Sequence, residues 1–152
     1  MNRGFQTHNL TGHRGIINKL VFYPEGDTYH LISTAEDYKI KVWDLILKTE
    51  IANIAAHSSL ITGIEFTEDR NFMISSSRDG SLAIFNVKEK YKLVSTFNRE
   101  NSDLSEEEIN TIKYYNFRVG GEYEGNRRPY VIIGGKSGSI SIFDLNKKRV
   151  CF

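Results

Sequence analysis

The chain has 152 residues, 39% hydrophobic and 26% charged, with a formal net charge of +1. It is long enough to bury a core, and too evenly charged to be drawn in bulk to nucleic acid or an anionic membrane. The single cysteine, Cys151, excludes an internal disulfide and fits a reducing compartment.

No apolar run reaches the ~20 residues that cross a bilayer, and residues 1–10 lack the apolar core of a signal peptide. The chain is therefore expected to be soluble and intracellular, and the sequon at Asn9-Leu10-Thr11 is read as a chance match. β-Branched and aromatic runs separated by turn residues predict an all-β chain. Residues 5–10 read as an outer strand leading to a turn at Thr11 and Gly12. An inner strand over 16–22 follows, then a turn marked by Pro24, Gly26 and Asp27, and two middle strands over 29–34 and 38–43 joined at Glu36-Asp37. A second outer strand covers 50–54. The order then repeats: an inner strand at 61–66, a polar turn at 68–71, middle strands at 72–77 and 82–85 joined at Asp79-Gly80, and an outer strand over 91–97. In a third unit the inner strand falls at 109–117, the middle strands at 130–134 and 139–143, and an outer strand starts at 149–152. Two irregular stretches lengthen this unit, an acidic one over 98–108 and a glycine- and charge-rich one over 118–128. Ser105, standing before three glutamates, predicts a short helical turn.

The repetition is explicit in the residues. Thr11-Gly12-His13 opens the first unit and Trp43-Asp44 closes it, while Ala56-His57 and Phe85-Asn86 do the same in the second. His13 and His57 lie 44 positions apart, Trp43 and Phe85 lie 42 apart, and Phe85 to Phe143 takes 58. A period of about 40–45 with a Gly-His start and a Trp-Asp finish resembles the WD-repeat family, in which each repeat supplies one four-stranded propeller blade. The resemblance implies about three four-stranded antiparallel blades within one β-propeller domain, with repeats at about 10–44, 54–86 and 97–144. Propellers have about four to eight blades, and an open arc leaves apolar blade faces uncovered. The expectation is an incomplete propeller, an excerpt of a longer one rather than a ring completed by copies or by another chain.

The same resemblance places a buried hydrogen-bond chain in each blade, running from a turn aspartate through a loop histidine and a strand serine to the tryptophan indole. Carried over residue by residue, it names Asp37, His13, Ser33 and Trp43 in the first unit. In the second it names Asp79, His57 and Ser75, with Phe85 unable to donate. The third unit has Ser137 in the aspartate's place and no loop histidine, so no such chain is expected there. These residue types suit the role, because a buried carboxylate needs donors and an imidazole can bridge an acid and a hydroxyl. They also look like a hydrolase triad. They recur once per repeat in register with the strands, whereas a catalytic site is single, so the protein is read as a scaffold and not an enzyme.

Other enzyme-like features fail on spacing. Gly134-Gly135-Lys136-Ser137 lacks the earlier glycine of a phosphate-binding loop, Tyr130 standing there, and precedes a predicted strand instead of a helix. His8, His13, His30 and His57 match no common metal-ligand pattern. No cofactor, metal or small-molecule substrate is expected.

Loops before inner strands and turns between middle strands share one edge of a blade. That edge would present Arg14, Glu36, Tyr38, Ser58 and Arg78, together with the acidic stretch containing Glu106, Glu107 and Glu108, as a surface for other proteins. Arg127 and Arg128 form a short basic cluster of the kind that contacts phosphates. Leu10-Thr11-Gly12-His13-Arg14-Gly15, Val42-Trp43-Asp44-Leu45, residues 55–62 and residues 74–79 further resemble the transducin-beta-like WD-repeat subunits of the small-subunit processome. That likeness implies a nucleolar scaffold in pre-ribosomal RNA processing, partnered by other WD-repeat subunits and touching small nucleolar RNA and pre-ribosomal RNA indirectly. A cytoplasmic adaptor in signalling or a ubiquitin ligase, holding a peptide on the same edge, is the alternative.

Overall fold

The computed structural model describes residues 9–25, 28–118 and 127–151, and throughout them the chain is all-β. Strands β1 (Ile17–Glu25), β2 (Thr28–Ala35), β3 (Ile40–Asp44) and β4 (Thr49–Ile54) form the first sheet in that order. β5 (Ile61–Phe66), β6 (Phe72–Ser77), β7 (Leu82–Asn86) and β8 (Lys92–Phe97) form the second, and β9 (Ile109–Arg118), β10 (Arg127–Gly135), β11 (Ile140–Asp144) and β12 (Arg149–Val150) the third. Each sheet is a four-stranded antiparallel meander, as the blade reading expects.

One turn recurs between the two middle strands of every sheet. Tyr38, Gly80 and Gly138 each donate their N–H to the carbonyl three residues back, and each has a left-handed φ, of 60°, 78° and 88°. Two units use glycine, for which that conformation is free, and the first places a tyrosine there. Residue 38 is thus turn rather than strand, and the same correction moves Ser139 and Tyr91 out of the strands expected to begin with them. A second shared turn joins the second middle strand to the outer strand. Asp44 Oδ1 accepts the N–H groups of Ile46 and Leu47 at 2.8 Å, and Asp144 Oδ1 accepts those of Asn146 and Lys147 at 2.9 Å. This is an Asx-type bond, which explains an acid at the end of the strand.

The helical turn expected at Ser105 does not form. Ser105 Oγ accepts the Glu107 N–H at 3.4 Å, but the segment only bends at Glu106 and Glu107, because Leu104 and Ile109 are both drawn into the core on either side of it. Residues 5–8 of the expected outer strand, His8 among them, the turn residues Gly26 and Asp27, most of the 118–128 stretch and Phe152 lie outside the described residues, while Asn9 and Leu10, the end of that expected strand, are described and are not in a strand.

The core sits between sheets. Ile32, Ile40, Val42 and Tyr23 of the first sheet pack on Ile61, Ile64, Met73 and Phe85 of the second. Ile74, Leu82 and Phe97 of the second pack on Ile112, Val131 and Phe143 of the third, with the Phe97 and Phe143 rings 5.4 Å apart. Each fully buried aliphatic or aromatic side chain contributes about 1.5–3 kcal/mol, so the two seams dominate stability. Each inner strand carries a β-bulge, and in the first two the bulge residue adds a polar latch. Asn18 bonds Thr34 at 2.8 Å and donates across the seam to the Ile61 carbonyl at 2.7 Å. Thr62 bonds Ser76 at 3.1 Å and donates to the Ile109 carbonyl at 2.7 Å. The third bulge residue, Asn110, is exposed.

Candidate functional site

In the first sheet one directed chain ties the loop before β1 to the turn after β2. Trp43 Nε1–H donates to Ser33 Oγ at 2.8 Å, and that hydroxyl lies 2.8 Å from His13 Nε2. His13 Nδ1 is 3.0 Å from Asp37 Oδ2. With Nδ1 as the donor, the imidazole bonds Asp37 on one side and Ser33 on the other, so each polar atom in the row is partnered. Asp37 also accepts the backbone N–H of Arg14 at 3.0 Å and of Lys39 at 3.1 Å. Burial pushes the Asp37 carboxyl up, but bonds from Arg14, His13 and Lys39 and the His13 charge outweigh it and hold the group below the usual carboxylate range.

The second sheet keeps the row but reroutes it. His57 Nε2 is 2.7 Å from Ser75 Oγ, while Nδ1 lies 2.9 Å from Ser81 Oγ and 3.4 Å from Asp79 Oδ2. The Ser81 hydroxyl in turn donates to Asp79 Oδ1 at 2.6 Å, and the Ser58 N–H donates to Asp79 Oδ2 at 2.8 Å. Here too burial raises the Asp79 carboxyl, and the bonds from His57, Ser81 and Ser58 more than reverse it, leaving it well below the ordinary range. Ser81 escaped the sequence reading, although a hydroxyl two residues after a turn aspartate is a recurrent partner for it.

In the third sheet the acid changes sides. Glu107, in the loop before β9, accepts the Ser137 N–H through Oε1 and the Ser139 hydroxyl through Oε2 at 2.7 Å. Bonds from Ser137 and Ser139 hold its carboxyl below the ordinary range. The Glu107 carboxylate also packs where a Cβ on Gly135 would sit, so Gly135 makes room for the clasp. No histidine takes part, as expected, yet loop and turn are still joined.

The three clasps superpose on one backbone bond per sheet: Glu36 N–H to Ile16 O at 3.1 Å, Arg78 to Leu60 at 3.0 Å and Lys136 to Glu108 at 3.1 Å. Arg14, Glu36, Tyr38, Ser58 and Arg78 are all exposed on this loop-and-turn edge. Glu36 is partly committed, its carboxylate accepting the Ile16 N–H at 3.1 Å. Of the acidic run, Glu107 is consumed by its clasp and Glu108 lies 2.6 Å from Lys136 Nζ and 4.0 Å from Arg78 Nε; Glu106 sits beside Arg99. The acidic patch read from the sequence is thereby reduced, and a mixed row of Arg78, Glu108 and Lys136 bridges the second and third sheets. Of the phosphate candidates, Arg128 is half-buried in β10 opposite Phe117, and the Arg127 side chain lies outside the described residues.

Comparison with known proteins agrees with this architecture. The profile of the family described as "WD domain, G-beta repeat" matches residues 4–44 and 48–86. Transducin beta-like protein 3 of Rattus norvegicus is 33% identical over 84 residues, covering 55% of this chain and 10% of that protein. Lissencephaly-1 homolog 1 of Paramecium tetraurelia is 25% identical over 118 residues, 68% of this chain and 29% of that protein. A probable coatomer subunit beta' of Schizosaccharomyces pombe is 30% identical over 89 residues, 59% and 11% respectively. The chain thus spans well under two thirds of the length of these relatives. With the matched residues covering the first sheet, three strands of the second and the networks in both, the chain belongs to the WD domain, G-beta repeat family.

Proposed function

We propose that the protein is a non-enzymatic interaction scaffold that offers the loop-and-turn edge of its blades to other proteins, as a subunit of the assembly that processes pre-ribosomal RNA of the small subunit. The observation that carries the scaffold reading is the clasping of loop to turn in all three sheets. Side chains that resemble a triad are spent on holding backbone, and Arg14, Tyr38, Ser58 and Arg78 project from the segments so held. Rigid presentation of this kind lowers the ordering cost of binding. The ribosomal assignment rests on the residues that resemble transducin-beta-like processome subunits and on the likeness to Transducin beta-like protein 3. Its direct partners are then other WD-repeat subunits, RNA is reached through them, and the protein resides in the nucleolus.

A tagged pull-down of the full-length protein from its own cells, quantifying small nucleolar RNA and pre-ribosomal RNA against a tag-only control, tests this. Enrichment that survives moderate salt and falls in an Arg14→Glu, Arg78→Glu variant of unchanged stability is expected. Background RNA beside a stable set of cytoplasmic protein partners would replace the ribosomal reading by the adaptor.

A further inference from the structure

The two seams between sheets are built on the same plan and differ at the end opposite the loop-and-turn edge. In the first seam Tyr23 closes that end, its hydroxyl donating to the Arg70 carbonyl at 2.8 Å and its ring 4.5 Å from that of Phe66. Tyr91 closes it from the other sheet, its hydroxyl 2.9 Å from His30 Nδ1. In the second seam the register puts Thr67 where Tyr23 stands, since Tyr23 pairs with His30 and Thr67 with the equivalent Phe72. The ring that Tyr23 supplies is thus missing, and a cleft of about 650 Å³ opens beside Thr67, floored by Phe72, Ile74, Ile84 and Val94 and walled by Tyr114. Asn116 lines it, and the Asn116 Oδ1 atom is buried without a hydrogen-bond partner.

We propose that this cleft is a docking pocket for a tyrosine side chain carried on an exposed segment of a partner protein. The molecule itself points to the occupant, because the equivalent position one blade earlier is filled by the chain's own Tyr23, whose ring packs 4.5 Å from that of Phe66. The volume falls in the range of ligand pockets, about 300–1,000 Å³. A phenol ring supplies the apolar surface that Thr67 does not. Asp69 at the rim, held ionised by bonds from Thr67 and Asn71, favours a basic residue beside the tyrosine. This surface is separate from the loop-and-turn edge and its occupation does not depend on the ribosomal assignment.

N-acetyl-L-tyrosinamide is the probe, titrated to about tens of millimolar into the intact chain while the methyl resonances of Ile74, Ile84 and Val94 are followed by NMR. Saturable shifts confined to these methyls, absent with N-acetyl-L-alaninamide, are expected. Thr67→Tyr, which places in the second seam the ring that fills the first, abolishes them, and Val94→Lys, on an exposed strand position, weakens them at least fivefold without unfolding the chain. Shifts of equal size with the alanine compound, shifts that ignore both substitutions, or no saturable shift in the wild-type chain would overturn the proposal.

Discussion

The first and third sheets solve one problem with opposite chemistry. Both must pin a loop that enters the inner strand to the turn between the middle strands. The first does so from the turn, with Asp37 reaching through His13 and Ser33 to the Trp43 indole; the third does so from the loop, with Glu107 reaching across to Ser137 and Ser139. The requirement common to both is an acceptor for backbone N–H groups at the joint, and it is met wherever a carboxylate can stand. The difference lies in depth. The Asp37 row descends to a tryptophan that is 5% exposed, whereas the Glu107 clasp stays at the rim. A deep row couples the loop to the core, and a shallow one holds it locally.

The largest effect is expected from Asp37→Ala, which strands His13 and two backbone donors and should cost about 2–3 kcal/mol in urea denaturation. An unchanged midpoint would remove the structural role from this row. Acid should sharpen the same contrast. Asp37 and Asp79 have folded pKa values below their unfolded ones, so their contribution is present above about pH 4 and is lost as pH falls through the folded values. Asp79→Asn should therefore flatten the stability loss below about pH 4; a profile as steep as that of the wild type would contradict it. Trp43→Phe makes the first sheet imitate the second, removes one donor from Ser33, and should cost about 1 kcal/mol by thermal melting. Tyr38→Gly acts in the other direction: it releases the left-handed tyrosine and should stabilise by about 0.5–1 kcal/mol, a gain absent if the tyrosine side chain packs well enough to offset the strain. Glu107→Gln should change the melting temperature least, and its local signature is faster amide exchange at Ser137; protection as in the wild type would show that the clasp is redundant.

Most of the strand order was legible because the runs of β-branched and aromatic residues and the glycines and aspartates of the turns are local signals. The Asp37 row was legible through its repetition at fixed spacing. Tyr38 was not, since a β-prone tyrosine beside a strand gives no sign that the turn needs a left-handed residue there; only its alignment with Gly80 and Gly138 reveals it. Glu107 was hidden for a different reason. Within three consecutive glutamates nothing local marks the one that folds back, and its partners lie thirty residues onward. The helical turn at Ser105 failed on the same ground, its propensity being overruled by the need to seat Leu104 and Ile109.

Sequence alone determined the all-β class, the three repeats and, Ser81 excepted, the residues of the first two polar rows, because these follow from local pattern and from periodic recurrence. Tertiary structure alone decided which glutamate clasps the third sheet, how the bulge residues Asn18 and Thr62 latch one sheet to the next, and that one seam is sealed while the other is open. Each of these depends on two segments distant in the chain meeting across a sheet or a seam, and the space left beside Thr67 is not a property of that residue by itself.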